Sequence, residues 1–182
     1  VASGGATFSP TPVNAPAVAD PFANEPVPTT NGGFYGSVVA GSGQTIEASP
    51  GTYTTLGASG GGVLTLDPGV YVITTSFTNS GSGQITGDGV TLYFPVGSSL
   101  HLSGTSVTNL TSPNGMFGIT VFYDRANTNS IATDIGVSAT IQGAIYGKAS
   151  QLKIDQLVAG GLVVVDTVSV ASGGTFILNC QQ

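Results

Sequence analysis

Short apolar runs separated by polar turns make up most of this chain. From Phe34 to the C-terminus each run is a few residues long, and Gly, Ser, Asn or Pro closes it. Within the runs Val, Ile and Leu tend to alternate with polar residues, which is typical of strands that turn one face to a core. Residues 139–157 contain two glycines and alternate in the same way, so no segment predicts a helix.

The pattern therefore predicts an all-β protein. Its strands are expected at residues 45–48, 52–55, 63–66, 70–74, 84–86, 90–94, 100–102, 106–110, 119–123, 138–141, 144–146, 152–154, 162–165, 167–170 and 176–178.

One sequence pattern recurs, in which a glycine-rich turn is followed by a predicted strand that contains a tyrosine. It is clearest at 87–95, where Gly-Asp-Gly precedes Val-Thr-Leu-Tyr-Phe and a proline ends the run. The tyrosines at positions 53, 71, 93, 123 and 146 are 18, 22, 30 and 23 residues apart. Repetition on roughly this scale indicates a solenoid, in which each unit buries its apolar face against its neighbours.

A sandwich or barrel also consists of short strands and turns, but two observations favour a coil. Hairpin folds use two-residue turns such as Asn-Gly, and these occur only at 31–32 and 114–115. The strands also come in groups of two or three per repeat. We therefore predict a parallel β-helix with about three short strands per turn and successive turns ~4.8 Å apart. Inward aliphatic and aromatic residues should stack in ladders, with Gly and Asn at corners where φ is positive.

The first 33 residues differ from the rest. Six of the ten prolines lie here, and proline cannot donate to a strand ladder. We predict an extended arm with polyproline-II character at 1–33 and a β-helix domain at 34–182. The arm is expected to lie along the body, because apolar residues recur along it as anchors. These anchors are Phe8, Val13, Val18, Phe22 and Val27.

Composition and charge narrow the classes of function. Charged residues make up 7% of the chain, and the net charge is −6 with only Arg125, Lys148 and Lys153 positive. Such a chain is not expected to bind nucleic acid or an anionic membrane surface. No apolar run reaches the ~20 residues of a membrane-spanning helix. A surface of Ser, Thr, Asn and Gly suits an extracellular protein.

The lone cysteine, Cys180, cannot form an internal disulfide. It is expected to be a small buried or frayed residue, or to pair with a cysteine elsewhere. The chain starts at Val1 without a signal segment, so we expect a processed or excised fragment.

Four segments resemble the C-terminal region of Tad-type (Flp) pilus-assembly proteins. They are ADPFANEPVP at 19–28, LDPGVYVI at 66–73, ITGDGVTLY at 85–93 and GITVFYDR at 118–125. The likeness covers residues 19–147. It implies a repetitive extracytoplasmic β region that follows a membrane-anchored part, and we expect that part to lie outside the given residues. It implies no catalytic residues.

The acidic residues do not predict a catalytic or metal site. No two of the nine are adjacent or alternate, although polysaccharide-cleaving β-helices need converging carboxylates. Asp67 and Asp88 occupy turns, where their side chains should bond to local backbone. If they stack in successive turns, they could share a cation. We expect no catalytic residue, no cofactor and no metal.

Three other features predict little chemistry. His101 is the single histidine and should face solvent between two inward leucines. Asp124 and Arg125 are expected to be a strand-ending polar pair or a local salt bridge. Asn109 begins a glycosylation sequon that short sequences often contain by chance.

These observations predict a non-catalytic structural or adhesive module of a bacterial cell surface, associated with a pilus or the envelope. Its expected partners are copies of itself, joined through the coil ends into an oligomer or filament, and neighbouring envelope proteins. As the alternative to such stacking, the arm would cap one end and the tail at 176–182 the other. A glycan-binding or glycan-cleaving β-helix is the second hypothesis, with Tyr35, Tyr53 and Phe77 as platforms. Ice binding through Thr52, Thr54, Thr65 and Thr74 is a third.

Overall fold

A computed structural model describes residues 19–114, 118–134 and 136–178. All the regular structure in these ranges is β, and none of it is a helix that could span a membrane. The strands are β1 Phe34–Ala40, β2 Thr45–Ala48, β3 Gly51–Ser59, β4 Val63–Leu66, β5 Gly69–Ser80, β6 Gln84–Gly87, β7 Val90–Phe94, β8 Ser99–Leu102, β9 Val107–Thr111, β10 Ile119–Tyr123, β11 Ile131–Thr133, β12 Ser138–Gln142, β13 Ala144–Gly160 and β14 Val163–Leu178.

The strands form a parallel β-helix of about seven turns, which confirms the predicted architecture. Every strand pairing is parallel and joins one turn to the next, so the chain winds around a single axis. We call the three sides faces A, B and C. Face A contains β7 and β10, face B contains β8 and β11, and face C contains β2, β4, β6, β9 and β12. The long strands bend at the corners: β1, β3 and β5 cover faces A and B, and β13 and β14 cover all three.

The core is a set of columns in which each inward residue lies on its counterpart in the next turn. One column on face B runs through seven turns, from Val38 to Val168. Its five interior members are at most 1% exposed; they are Leu56, Phe77, Leu100, Ile131 and Leu152. Burying one such side chain contributes roughly 1.5–3 kcal/mol. The alternating pattern therefore becomes one continuous apolar interior.

Glycines form the corner between faces B and C. Gly81, Gly104 and Gly136 lie there in successive turns, with φ of 60°, 72° and 90°. A Cβ on Gly104 would lie 2.7 Å from the backbone nitrogen of Gly81. All positive φ angles among the described residues belong to glycine, so the prediction was right for glycine and wrong for asparagine.

The tyrosines do not share one column, contrary to what their spacing suggested. Tyr53 pairs with Ile73, and Tyr71 pairs with Leu92. Only Tyr93 and Tyr146 stand in the same column, separated by Phe122. The rings still stack across turns, as predicted for aromatic ladders, at centroid distances of 5.9 Å for Tyr53–Tyr71 and 4.9 Å for Phe122–Tyr146. The spacing reflects turn length, and a shift of one or two residues moves a ring to another column.

Strand boundaries differ from the prediction in two ways. The sequence pattern missed β1 and β11 because Gly36 and the three-residue length of β11 weaken the strand signal. It also divided β13 and β14 into separate short strands. In the structure each runs on through its corners, where the pairing register shifts instead of breaking.

Residues 19–33 run along the outside of face A, from the last turns back to the first. The Tyr146 hydroxyl donates to Asp20 Oδ2 at 2.8 Å, and the Thr52 amide donates to the Gly33 carbonyl at 2.9 Å. Of the predicted anchors, Phe22 packs against Tyr146, whereas Val27 is 41% exposed and does not anchor the segment. Phe8, Val13 and Val18 lie outside the described residues. The arm at 1–33 as a whole, and the boundary at 34, therefore stay predictions.

Candidate functional site: an outer aromatic column and an open end

Three aromatic residues, Tyr93, Phe122 and Tyr146, form an outward column on face A, although an outward column on a solvated sheet should be polar. Tyr93 is half-buried, and Phe122 and Tyr146 are buried. Phe22 from residues 19–33 meets the Tyr146 ring edge-on at a centroid distance of 5.6 Å. The column is thus covered by the same chain and is not a free binding surface.

Arg125 clamps residues 19–33 onto this column. Its guanidinium donates to the carbonyls of Phe22 and Glu25 at 2.7 and 2.6 Å. The same group lies 5.5 Å from the Phe122 ring centroid and 5.8 Å from that of Tyr146, within cation–π range. Arg125 therefore holds residues 19–33 against the outside of face A.

Asp124, the neighbour of Arg125, does not contact residues 19–33 through its hydrogen bonds but accepts bonds from Tyr93 and Ala126. Its carboxylate accepts from the Tyr93 hydroxyl at 3.1 Å and from the Ala126 amide at 2.9 Å. No ion pair joins it to Arg125 in the described part of the chain. The strand-ending polar pair is confirmed, and the local salt bridge is wrong.

Burial changes the acidity of the tyrosines. Desolvation raises the pKa of Tyr53, Tyr93 and Tyr146 from 10.0 to about 12, and nearby Asp67, Asp124 and Asp20 add to the three shifts respectively. Desolvation raises the pKa of Tyr71 and Tyr123 further. These phenols stay neutral at ordinary pH and act as hydrogen-bond donors.

Asp67 and Asp88 do lie in successive turns, because the residues before them, Leu66 and Gly87, pair directly. Asp67 accepts from the Ser49 hydroxyl at 3.2 Å, and Asp88 accepts from the Thr111 hydroxyl. Both line a shallow depression of about 460 Å³. Within the described ranges no three His, Cys, Asp or Glu side chains group as a metal site would require. Both carboxylates thus accept from hydroxyls of a neighbouring turn, whereas the sequence predicted bonds to local backbone.

The remaining candidate residues are separate from one another. His101 is exposed and lies 2.9 Å from Asp134. Asn109 is exposed on face C, in the middle of β9. Cys180 lies outside the described residues.

The proposed glycan platforms do not form a surface. Tyr53 and Phe77 belong to the core, and only Tyr35 of the three is exposed, at 48%. The threonines suggested for ice binding are also dispersed: Thr52 pairs on face A and Thr65 pairs on face C. These residues therefore supply neither a groove nor a flat rank.

The last turn leaves its inward side open. Val168 and Leu178 are each 47% exposed, whereas Leu152 and Ala159, their counterparts one turn earlier, are fully buried. A groove of about 620 Å³ lies at this end. Its lining consists of Ala19, Asp20, Pro21, Lys148, Leu162–Val165, Val168, Phe176 and Leu178.

The open end and the covered column were both missed in the sequence, although each has a signal. In Val121–Tyr123 and Val163–Val165 consecutive residues are apolar, which means that both sides of the strand avoid water. The predicted cap at 176–182 is only partly testable. Residues 176–178 continue face C as the end of β14 and do not fold over the coil end.

These features define a three-sided parallel β-helix with one open apolar end. Residues 19–33, which we call the strap, are held against the outside of face A by Arg125. Comparisons with protein-family models, with curated proteins and with solved structures find no match.

Proposed function

We propose that this chain is a non-catalytic structural module of a bacterial cell surface, associated with a pilus or the envelope, that joins other copies of itself through its open end. The observation that supports the proposal is the last turn that the structure describes, where apolar side chains are about half exposed and β14 pairs with β13 alone among the described strands. A free strand edge is a template for pairing with another chain. The resemblance to Tad-type pilus-assembly proteins supports the proposed setting.

The size of the open end indicates weak association. Five apolar side chains of this turn are about half exposed: Leu162, Val168, Val170, Ile177 and Leu178. Covering the exposed half of each contributes roughly 1 kcal/mol. Association costs at least about 4 kcal/mol in lost freedom of motion. We therefore expect concentration-dependent association and not a permanent dimer.

Sedimentation velocity over a range of concentrations tests the association. Val168→Lys, which places a charge on the open end, should shift the distribution towards the monomer. Thr86→Lys is the matched control because Thr86 is exposed on face C in the middle of the coil. A strictly monomeric chain whose open end is not covered by its own residues would contradict the proposed association.

The cell-surface location has its own test. Protease treatment of intact bacteria that produce the chain should remove it, while a cytoplasmic marker stays intact. Protection of the chain in intact cells would contradict this part of the proposal. Glycan binding is the weaker proposal, because Tyr35 stands alone among its suggested platforms.

A further inference from the structure

The strap lies on the coil as a separate outer layer. None of its fifteen residues is buried, and only four are half-buried: Asp20, Phe22, Pro28 and Thr30. A groove of about 250 Å³ remains between the strap and face A. The coil therefore keeps its own core whether or not the strap is in place.

The seat of the strap on face A binds features that an extended segment carries by itself. Arg125 donates to the backbone carbonyls of Phe22 and Glu25, and the Tyr146 ring meets Phe22 edge-on. Aromatic grooves bind extended proline-containing segments in other proteins. A strap with this sequence can therefore occupy the seat whether it belongs to the same chain or to a second copy.

The strap is longer than its path requires. On face A the coil advances five strand spacings from β1 to β13, which is about 24 Å. The chain advances eleven residues from Phe22 to Gly33, and these can extend up to about 36–40 Å. The excess of about 12 Å equals two or three strand spacings. Phe22 can thus reach the seat of a second coil that abuts the β1 end of the first.

The point about which the strap can swing lies at residues 29–31. Gly32 and Gly33 are fixed to the body, because a Cβ on Gly32 would overlap the Pro50 carbonyl and the Thr52 amide donates to the Gly33 carbonyl at 2.9 Å. Thr29 and Asn31 are exposed. A strap that swings out here points away from its own coil, past β1.

We propose that two copies of this chain meet at their β1 ends and exchange their straps, so that each strap covers the aromatic column of the other copy. The direction of the strap fixes this arrangement. It leads from the β1 end towards Tyr146, and an outward strap meets a seat in that direction only on a copy whose β1 end faces it. The two copies are then related by a twofold axis, and the contact closes.

The exchange replaces every contact of the strap with an identical one. It therefore costs mainly the freedom of motion that any association costs. Phe34 and Tyr35, which are 71% and 48% exposed, lie at the β1 end beside the strap and are covered by the facing copy. The inference goes beyond the proposed function, because it uses the β1 end and leaves the open end of the last turn free.

Isotope-mixed photo-cross-linking tests the exchange. The photoreactive residue p-benzoylphenylalanine takes the place of Phe22, and every chain carries Val168→Lys to weaken the open-end contact. Equal amounts of ¹⁵N-labelled and unlabelled chains are refolded together at about 1 mM, since a tethered segment competes at an effective concentration of this order. We expect links from position 22 to face A that join a labelled strap to an unlabelled coil.

Two further variants locate the contact. Phe34→Lys places like charges against each other at the β1 end and should reduce the mixed-isotope links about tenfold, while same-isotope links persist. Thr86→Lys is the matched control, since Thr86 is exposed on face C in the middle of the coil. Mixed-isotope links should keep their parent level in this control.

Three results would overturn the inference. If links to face A join only chains of the same isotope at every concentration, each strap stays on its own coil. If mixed-isotope links are equally abundant in Phe34→Lys and Thr86→Lys, the copies do not meet at their β1 ends. If position 22 forms no link to face A, the strap does not occupy this seat at all.

Discussion

Leu92 lies near the middle of an inward column on face A, between Tyr71 of the preceding turn and Val121 of the next. It is fully buried. Its side chain is thus covered from above, from below and across the core. In a coil of this kind the interior residues of the central turns have the least room to relax.

Leu92→Ala should therefore lower the free energy of unfolding by about 2–5 kcal/mol, because it removes buried methyl groups and leaves a cavity. Val96→Ala is the control, since Val96 is 63% exposed and its truncation should change stability by less than about 0.5 kcal/mol. Denaturant unfolding of both variants measures the difference. Equal midpoints for the two variants would contradict the packed column.

A corner can require glycine for two reasons, the left-handed backbone conformation and the lack of space for a Cβ, and a comparison of Gly104 with Gly43 distinguishes them. Both have φ of 72°, but a Cβ on Gly104 would meet the Gly81 backbone, whereas a Cβ on Gly43 has nothing within 4 Å. Gly43→Ala should cost roughly 1–2 kcal/mol for the left-handed conformation alone. Gly104→Ala should cost more, by about 1–3 kcal/mol, because of the added overlap. Thermal unfolding of the two variants gives this difference, and equal losses would show that corner stacking is unimportant.

At the scale of elements, the strap at residues 19–33 depends on contacts between distant parts of the sequence. Arg125 and Phe22, whose carbonyl accepts from it, are 103 residues apart. The guanidinium fixes two strap carbonyls and lies over two rings of face A. Removing it leaves the strap with its apolar contacts and the bond from Tyr146.

Arg125→Leu should loosen the strap while the coil stays folded, since the lost contacts lie on the outside of face A. We expect faster proteolytic cleavage near residues 22–28 with unchanged circular dichroism. Lys153→Leu is the control because Lys153 is exposed on face B of the coil, while the strap lies on face A. Equal cleavage rates in the two variants would show that the aromatic contacts hold the strap without Arg125.

The sequence allowed the coil to be predicted but not its contacts. Alternation in segments such as Val63–Leu66 is local, so strands and turns can be recognised without knowing their neighbours. The column to which a residue belongs depends on the pairing register between turns of unequal length. For this reason Tyr71 was expected to pair with other tyrosines, whereas in the structure it pairs with Leu92. The position of the strap depends on the contact between Arg125 and Phe22, which are 103 residues apart, and a local sequence pattern does not indicate such a contact. The consecutive apolar residues Val163–Val165 indicate that both sides of a strand avoid water, but they do not indicate that the last described turn has no successor among the described residues.

At the scale of the whole molecule, the buried tyrosines predict a loss of stability at alkaline pH. An unfolded tyrosine ionises near pH 10, while the pKa of Tyr53, Tyr93 and Tyr146 is raised to about 12. Between these values the unfolded state releases protons that the folded state keeps. The stabilising contribution is therefore complete below pH 10 and is lost as pH rises towards 12.

We expect the unfolding midpoint in denaturant to fall steeply from pH 10 to pH 12, with tyrosinate absorbance rising together with unfolding. Tyr93→Phe removes one of the ionising groups and should make the decline shallower. A midpoint that does not change over this interval would contradict burial as the cause of the raised pKa values.

Because the strap runs back along the coil, both ends of the described chain meet at one pole. Ala19 and Leu178 line the same groove, whereas Tyr35 lies at the opposite pole, stacked on Tyr53. Tension applied through residues on either side of this region would pull on a single pole, across the strap clamp, and would not stretch the coil along its length. The opposite pole, with the exposed Phe34, would then lie at the end of the coil farthest from Ala19 and Leu178.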